Sequence, residues 1–441
     1  MVGDLMLPFR FSRRQVRSFL ATIFAVNIAF MITTAIKYSN VVLPMSWKGW
    51  GHVFREALDL GAENNLAAWH SAITLLIATG GWLICYALDV RGRKSRGDRF
   101  LSWGWVLLAG LFCLLSLDEE GSFHERLGAV PGMNQFDVFV FPMVGVGLFL
   151  LMFAWARLRT SWLTLALLTL GFLTYLSVPI QERAEAVLEH SGMYSATWHT
   201  PTRDVVIEEG SELLGTLFFI IAGLVHARRL NRALVPSMPE DQWLDFDVPV
   251  DRPAIMRVAS WIVGLMGFGL VVQAIAVPDL PHGGQFTASE LGSPPDWFAA
   301  SLMLIAAALF LYAARSKPDV PGQQLLRSFY KLFAGYAAVL AVHHGGGHFL
   351  SSILWYDTPR RQLASNVLLG FAALGVAAVG IRRLPERAVR LVLATWGLLA
   401  VMAAVRPEPL ASVLLFAAYG LVLIVVAPIA LAPPDLGPPR G

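Results

Sequence analysis

The segment Asp118–Glu125 carries four carboxylates and one histidine directly after the apolar run Phe100–Leu117. Ionisable groups at the edge of a hydrocarbon layer are costly, and they usually mark functional positions. Carboxylate oxygens and imidazole nitrogens are also the side-chain groups that bind divalent first-row metals. This segment therefore predicts a site for a metal ion or for proton transfer where a membrane helix ends.

Two further clusters of similar chemistry occur later in the chain. The segment Glu208–Glu212 opens one apolar run, and the segment His343–His348 closes another. Residues three or four positions apart share one face of an α-helix, so each helix can present two ligands to a common centre. The pairs with this spacing are Glu120/His124, Glu208/Glu212, Glu209/Glu212 and His344/His348.

These residue types predict a divalent metal, with zinc, iron and manganese all compatible. Dinuclear centres in helix bundles are also built from carboxylates and histidines, although their usual pair is Glu-x-x-His. A carboxylate outside the ligand set, Glu125 or Glu209, would act as general base, and Arg360 and Arg361 would bind a phosphate head group. The predicted metal ligands are Asp118, Glu119, Glu120, His124, Glu208, Glu212, His344, His348 and His70.

A simpler interpretation of each cluster is also open. Acidic residues are favourable at a helix N-terminus, where the helix dipole attracts negative charge, and they are well solvated at a helix end. The run Gly345–Gly347 would loosen its helix, leaving His343–His348 as packing residues beside a break. His70, alone near the start of its span, would then be an interfacial histidine.

The composition of the chain is that of a membrane protein. It is 56% hydrophobic and 15% charged over 441 residues, whereas soluble domains are about 25% charged. Apolar stretches near the ~20 residues that cross a bilayer recur along it, and they predict an all-α, polytopic transmembrane bundle of about twelve spans. The predicted spans are 17–37, 64–88, 100–117, 136–158, 161–180, 206–226, 255–276, 297–314, 329–350, 361–381, 387–405 and 409–432.

Charge and cysteine content exclude some classes of site. The formal net charge of +3 gives no indication of nucleic-acid binding. Cys85 and Cys113 both fall inside apolar runs, so neither a disulfide framework nor a thiolate zinc site is expected. The expected partners are membrane lipid and a lipid-linked substrate.

The distribution of Lys and Arg predicts the orientation, because these residues mark cytoplasmic loops. Basic clusters precede the first predicted span and follow every even-numbered span from the second to the tenth. This pattern predicts that both termini lie in the cytoplasm of a bacterium, with the spans in its inner membrane. The three clusters and His70 would then lie together near the outer, periplasmic face.

The chain is expected to consist of two membrane halves. Residues 1–230 form a six-helix half that carries most of the outer acidic residues, and residues 231–254 form a polar cytoplasmic linker. Residues 255–432 form the second half, and residues 433–441 form a disordered tail that is rich in Pro and Gly.

Several motifs resemble a pattern found in uncharacterised bacterial multi-pass membrane proteins. They are Leu117-Asp118-Glu119 with His124-Glu125, Glu208-Glu209 with Glu212-Leu-Leu-Gly, and the segment Gly61–Trp69. The resemblance implies an architecture only, since that group has no established activity. The pair His344/His348 is similar to a motif of the seven-helix metal-dependent lipid hydrolases related to alkaline ceramidases. Those enzymes place a serine four residues before an earlier histidine, whereas here Leu66 precedes His70.

Three functions follow from these patterns. The first is a metal-dependent enzyme whose site near the outer face acts on a lipid or lipid-linked substrate. The second is a proton-coupled secondary transporter, although transporter sites usually lie near the midplane. The third is a lipid-linked sugar transferase, with Glu56, Asp59 or Glu63 as catalytic carboxylate and Arg55 nearby. A structural subunit of a larger complex would need none of this chemistry.

Overall fold

In a computed structural model, the chain divides into two compact units, Pro8–Phe246 and a second formed by Met1–Leu7 with Asp247–Gly441. The structure describes the backbone of most of the first unit and two helices of the second. The described residues are 5–38, 58–61, 65–92, 96–121, 141–190, 201–250, 294–316 and 321–345, with positions 372, 375, 376, 396 and 397.

The described part of the first unit is mostly helical. Its helices are α1 (Arg13–Tyr38), α2 (Leu66–Gly92), α3 (Arg96–Gly121), α4 (Phe141–Leu158), α5 (Trp162–His190) and α6 (Pro201–Leu234). All six contain a stretch that is long and apolar enough to cross a membrane. They coincide with the first six predicted spans, so the prediction of a helical membrane protein is confirmed at this level.

The second unit contributes α7 (Pro294–Ser316) and α8 (Pro321–Gly345) to the described residues. These two helices pack against each other, with the rings of Phe310 and Phe333 4.3 Å apart. The predicted spans 255–276 and 409–432 lie outside the described residues, as does the tail 433–441. The spans 361–381 and 387–405 also lie outside them, apart from the five isolated positions.

Helix α2 packs against α3 and α6. Its buried side recurs every three or four residues and contains Ala68, Ala72, Ala78 and Trp82, which is the spacing of one helix face. The helix is capped by Asn65, whose Oδ1 accepts hydrogen bonds from the backbone N–H groups of Ala67 and Ala68 at 2.8 and 3.0 Å.

Helices α5 and α6 approach closely because each has a glycine at the contact. A Cβ atom on Gly171 would lie 2.5 Å from the Phe219 ring and 3.1 Å from the carbonyl oxygen of Gly215. A Cβ atom on Gly215 would lie 2.7 Å from the Tyr175 ring and 3.1 Å from the carbonyl oxygen of Gly171. The absence of a side chain at both positions brings the two backbones together.

A small two-stranded sheet accompanies the predicted helices in the described residues. Strands β1 (Leu5–Ser12) and β2 (Gln242–Val250) pair with each other, and Arg10 Nε lies 3.3 Å from Asp245 Oδ1. The residues of β2 were predicted to belong to a polar linker. Buried and more exposed residues alternate along this segment instead, with Leu244 and Phe246 buried. This alternation is the pattern of a half-buried strand.

Candidate metal centre

The direction of the helices brings acidic residues to one end of the first unit. Helix α3 runs from Arg96 to Gly121 and ends in acidic residues, whereas α6 begins with acidic residues and ends in basic ones. We call the end that contains Asp118, Glu119 and Glu208–Glu212 the acidic end. The opposite end, which contains Arg13 and Arg228–Arg232, is the basic end.

Three carboxylates meet at the acidic end. One oxygen each of Glu119, Glu209 and Glu212 lies within 4.8 Å of the other two, and all three residues are half-buried. Glu209 and Glu212 share a face of α6 as their spacing predicts, and Glu119 reaches them from α3. Carboxylates this close repel one another unless a cation or shared protons neutralise them. The arrangement is therefore suited to binding a cation. We call these residues the carboxylate group.

The other predicted ligands are placed as follows. Asp118 and Glu208 lie half-buried beside the carboxylate group on α3 and α6. Glu120 lies in the last turn of α3 and His344 in the last turn of α8, and both side chains are outside the described structure. The predicted residues that lie wholly outside the described residues are His124, Glu125, His348, Arg360 and Arg361.

His70 is held by a polar contact next to the carboxylate group rather than within it. Its Nε2 lies 2.7 Å from Asn27 Oδ1, and its ring lies 5.2 Å from that of Phe30. Asn27 Nδ2 in turn donates a hydrogen bond of 3.4 Å to the carbonyl oxygen of Leu213. Since Leu213 directly follows Glu212, Asn27 connects the histidine to the backbone that positions the group.

One of the three carboxylates proposed for a sugar transferase is engaged in another contact. Asp59 is fully buried, and its Oδ2 lies 2.6 Å from Lys37 Nζ. Its Oδ1 accepts a hydrogen bond from the backbone N–H of Gly61 at 3.2 Å. These contacts give Asp59 a structural role at the end of α1. Arg55, Glu56 and Glu63 lie outside the described residues.

An apolar cavity of about 130 Å³ adjoins the carboxylate group. It lies between α3, α4, α5 and α6, and most of its wall consists of aliphatic and aromatic side chains. Among the described residues that line it, the charged ones are Asp118 and Glu212. Leu148 also lines the cavity while 44% of its own surface is exposed. The wall on that side is therefore thin and faces the exterior of the bundle.

Two residues of the cavity were missed by the sequence analysis. Tyr175 lines the wall, and its hydroxyl accepts a hydrogen bond from Thr216 Oγ1 at 3.4 Å. Pro179, inside α5, lacks an N–H group and cannot donate the helical hydrogen bond to the carbonyl of Tyr175. A proline four residues after a tyrosine within an apolar run was the signal available for both.

An aromatic layer lies next to the carboxylate group, on the side that faces the basic end. The Phe219 ring is 4.4 Å from that of Phe112 and 5.1 Å from that of Phe172. Phe219 lies two turns beyond Glu212 along α6, and Phe112 lies about two turns before Glu119 along α3. We call these three residues the aromatic layer. They separate the carboxylate group from the polar residues nearer the basic end.

Beyond the aromatic layer, a buried aspartate joins three helices. Asp89 Oδ2 accepts hydrogen bonds from Ser102 Oγ at 2.9 Å and Trp105 Nε1 at 3.1 Å. It also lies 2.8 Å from Arg157 Nη2. Unlike the carboxylate group, this buried carboxylate has a cationic partner and neutral donors. It is a structural ion pair between α2, α3 and α4.

Comparison with known protein families gives a match within the first unit. A family model described as a domain of unknown function (DUF8692) matches residues 19–227. The matched residues include α2 to α5 and most of α1 and α6, and therefore the carboxylate group and the cavity. No curated protein and no solved structure matches the chain. Within the chain, the segment that resembles the domain of unknown function is the one that carries the candidate metal centre.

Proposed function

We propose that this protein is a metal-dependent membrane enzyme that acts on a lipid or lipid-linked substrate near the periplasmic face of a bacterial inner membrane. The observation that carries the proposal is the carboxylate group beside an apolar cavity. Glu212 belongs to both, so an ion held by the group would contact a molecule in the cavity. The orientation, with both termini inside, rests on the distribution of Lys and Arg.

The donors favour a hard cation. Glu119, Glu209 and Glu212 offer only oxygen ligands. Carboxylate and carbonyl oxygens suit magnesium, calcium and manganese better than zinc. Of the three metals that the sequence predicts, manganese fits this ligand set best.

The chemistry would be hydrolysis or group transfer at a polar bond of a lipid. A divalent ion supplies Lewis-acid activation of an oxygen in such reactions. Asp118 lines the same cavity and is suited to accept a proton from the attacking group. Glu209, predicted to be the base, belongs to the carboxylate group and is better suited to hold the ion. Tyr175 would orient the polar head of the substrate.

The apolar wall supports a lipid as substrate. A hydrocarbon chain in the cavity would contact Leu111, Leu115 and Phe172. Because these side chains are apolar, the contact would not remove water from a polar group. The exposed surface of Leu148 lies where the bundle faces lipid, so a chain can enter from the bilayer. The predicted contacts of Arg360 and Arg361 with a phosphate head group remain part of this proposal.

The aromatic layer supports an enzyme over a proton-coupled transporter. A transporter must connect its binding site alternately to both sides of the membrane. In the described part of the first unit, the rings of Phe112, Phe172 and Phe219 lie between the carboxylate group and Asp89. Aromatic rings at this place favour a site that opens to one side, as an enzyme needs, over a site that opens alternately to both.

Metal binding by purified protein tests the proposal. We expect the detergent-solubilised full chain to bind manganese in equilibrium dialysis, and Glu212→Gln to bind at least tenfold more weakly because it removes a central ligand. Glu240→Gln is the matched control, since it makes the same change at an exposed position away from the carboxylate group. Wild-type protein that binds no divalent ion, or Glu212→Gln that binds like wild type, would contradict the proposal.

Activity is tested in the same preparation. Extracted bacterial lipids incubated with the manganese-loaded protein should yield a new species in mass spectrometry. Chelation of the metal or the Glu212→Gln substitution should abolish it. The same product formed at the same rate after chelation would exclude a metal-dependent reaction.

A further inference from the structure

Three arginines at the basic end have buried nitrogens without a hydrogen-bond partner. They are the Nε and Nη2 atoms of Arg228 and the Nε atoms of Arg13 and Arg157. Arg157 still pairs with Asp89 through its Nη2 atom, and Arg229 donates a hydrogen bond of 2.9 Å to Thr160 Oγ1. Buried donors without acceptors are costly, so these nitrogens indicate an acceptor from outside the chain.

The guanidinium of Arg228 is held on a fixed platform. Its Cζ atom lies 4.4 Å from the centre of the Trp243 ring. That ring is anchored to α6, because Trp243 Nε1 donates a hydrogen bond of 3.1 Å to the carbonyl oxygen of Leu224. Leu224 is one turn before Arg228 on the same helix. The cation–π contact and the hydrogen bond thus hold the guanidinium against this ring before any ligand binds.

The unpartnered atoms of Arg228 have the geometry of an oxyanion fork. Nε–H and the adjacent Nη2–H point in parallel from one edge of a guanidinium, and such an edge matches two oxygens of a phosphate group. This edge is buried. Because the residue as a whole is only half-buried, a change in its side-chain torsion angles would turn the edge outwards while the cation stays close to the Trp243 ring.

A second arginine and the local charge complete the argument. The backbone N–H of Arg13 donates a hydrogen bond of 2.7 Å to the carbonyl oxygen of Asp241, which holds the start of α1 beside the start of β2. The charges that act on Arg228 are Arg232, Arg13 and the exposed Glu240. Within the described part of the chain, Arg228 forms no ion pair with Glu240, so positive charge prevails at this place.

From these contacts we infer a second binding site, formed by Arg228 on its Trp243 platform together with Arg13, that takes a phosphate-type oxyanion. The site lies at the end of membrane-length helices, at the level where lipid head groups carry phosphates. Free inorganic phosphate has the same chemistry. The site is at the opposite end of the unit from the carboxylate group, and it does not depend on the proposed enzymatic function.

The test compares both sources of the oxyanion on the full chain. Purified protein is placed in nanodiscs of phosphatidylcholine, with or without phosphatidylglycerol, and its thermal unfolding is followed by circular dichroism. A separate titration in detergent adds inorganic phosphate at constant ionic strength, with chloride as reference. We expect phosphatidylglycerol, inorganic phosphate or both to raise the unfolding temperature. The compound that raises the unfolding temperature is identified as the source of the oxyanion.

Two variants distinguish binding by the parallel donors of Arg228 from a general attraction to positive charge. Arg228→Lys keeps the charge but loses the parallel donors, so it should bind the oxyanion about 10- to 100-fold more weakly, as expected for lost charge-assisted hydrogen bonds. Arg229→Lys is the matched control at the next position and should behave like wild type. Size-exclusion elution and helix content establish that each variant is folded.

Three outcomes would overturn the inference. In the first, neither phosphatidylglycerol nor phosphate stabilises the wild-type protein. In the second, Arg228→Lys and Arg229→Lys respond to the ligand like wild type. In the third, the two variants lose the response equally, which would indicate a diffuse attraction between the basic end and anions.

Discussion

At the scale of single residues, the first unit treats its buried carboxylates in two ways. Asp89 receives a guanidinium and two neutral donors, which offsets the cost of removing its charge from water. Glu119, Glu209 and Glu212 are instead brought against one another. The first arrangement stabilises a fold, and the second is stable only with something bound between the oxygens.

The Asp89 contact predicts strong coupling with Arg157. Asp89→Ala leaves a buried guanidinium unpaired and should lower the free energy of unfolding by about 3 kcal/mol, and Arg157→Ala should have a similar effect. The double variant should lose clearly less than the sum, since no lone charge remains. Thermal unfolding in detergent measures all three. Arg159→Ala, at an exposed position in the same turn, is the control, and strictly additive effects would contradict the coupling.

At the scale of helices, glycine positions determine how closely the first unit packs. Gly171 and Gly215 bring α5 against α6, and this contact positions both the Tyr175 wall and the segment that carries Glu212. Some other glycines have no such role. Around Gly110 of α3, for example, no atom would lie within 4 Å of an added Cβ.

This contrast predicts opposite effects of the same substitution. Gly171→Ala places a methyl group against the Phe219 ring and a backbone oxygen, so it should destabilise the protein by about 1–3 kcal/mol. Gly110→Ala meets open space and should be neutral or stabilising by up to about 1 kcal/mol, because alanine favours the helix. Unfolding temperatures of the two variants in the same detergent provide the comparison. Equal stability of both would show that α5 and α6 can separate at no cost.

The helices themselves could be predicted, but their rotation could not. Hydrophobic runs locate α1 to α6, and helical spacing places Glu209 and Glu212 on one face. The choice of Glu119 as the partner from α3 depends on how that helix is turned, which rests on contacts such as Phe112 against Phe219. Long-range packing of this kind leaves no local pattern. The strand β2 did leave one, since Leu244 and Phe246 alternate with Trp243 and Asp245.

At the scale of the whole molecule, charge is separated between the two ends of the first unit. The acidic end carries the carboxylate group, and the basic end carries Arg13 and Arg228–Arg232 together with the sheet of β1 and β2. This polarity predicts the orientation in the membrane, because loops rich in Lys and Arg remain in the cytoplasm.

Labelling of single cysteines tests that orientation. In a chain with Cys85 and Cys113 replaced by alanine, a membrane-impermeant maleimide should label Ala184→Cys in intact spheroplasts. It should label Arg14→Cys and Arg232→Cys only after the membrane is permeabilised. All three positions are exposed, so burial does not limit the reaction. The reverse pattern would place the acidic end in the cytoplasm and exclude a periplasmic site.

The aromatic layer has a consequence for the electrical behaviour of the protein. Moving one elementary charge across a whole membrane takes about 2.3 kcal/mol per 100 mV. With the acidic end outside, as proposed, the carboxylate group lies between the nearby membrane surface and the rings of Phe112, Phe172 and Phe219, so most of the voltage drop falls on the far side of these rings. An ion that enters from the nearby surface crosses only a small part of the field. Its occupancy should therefore be almost the same in energised and de-energised cells.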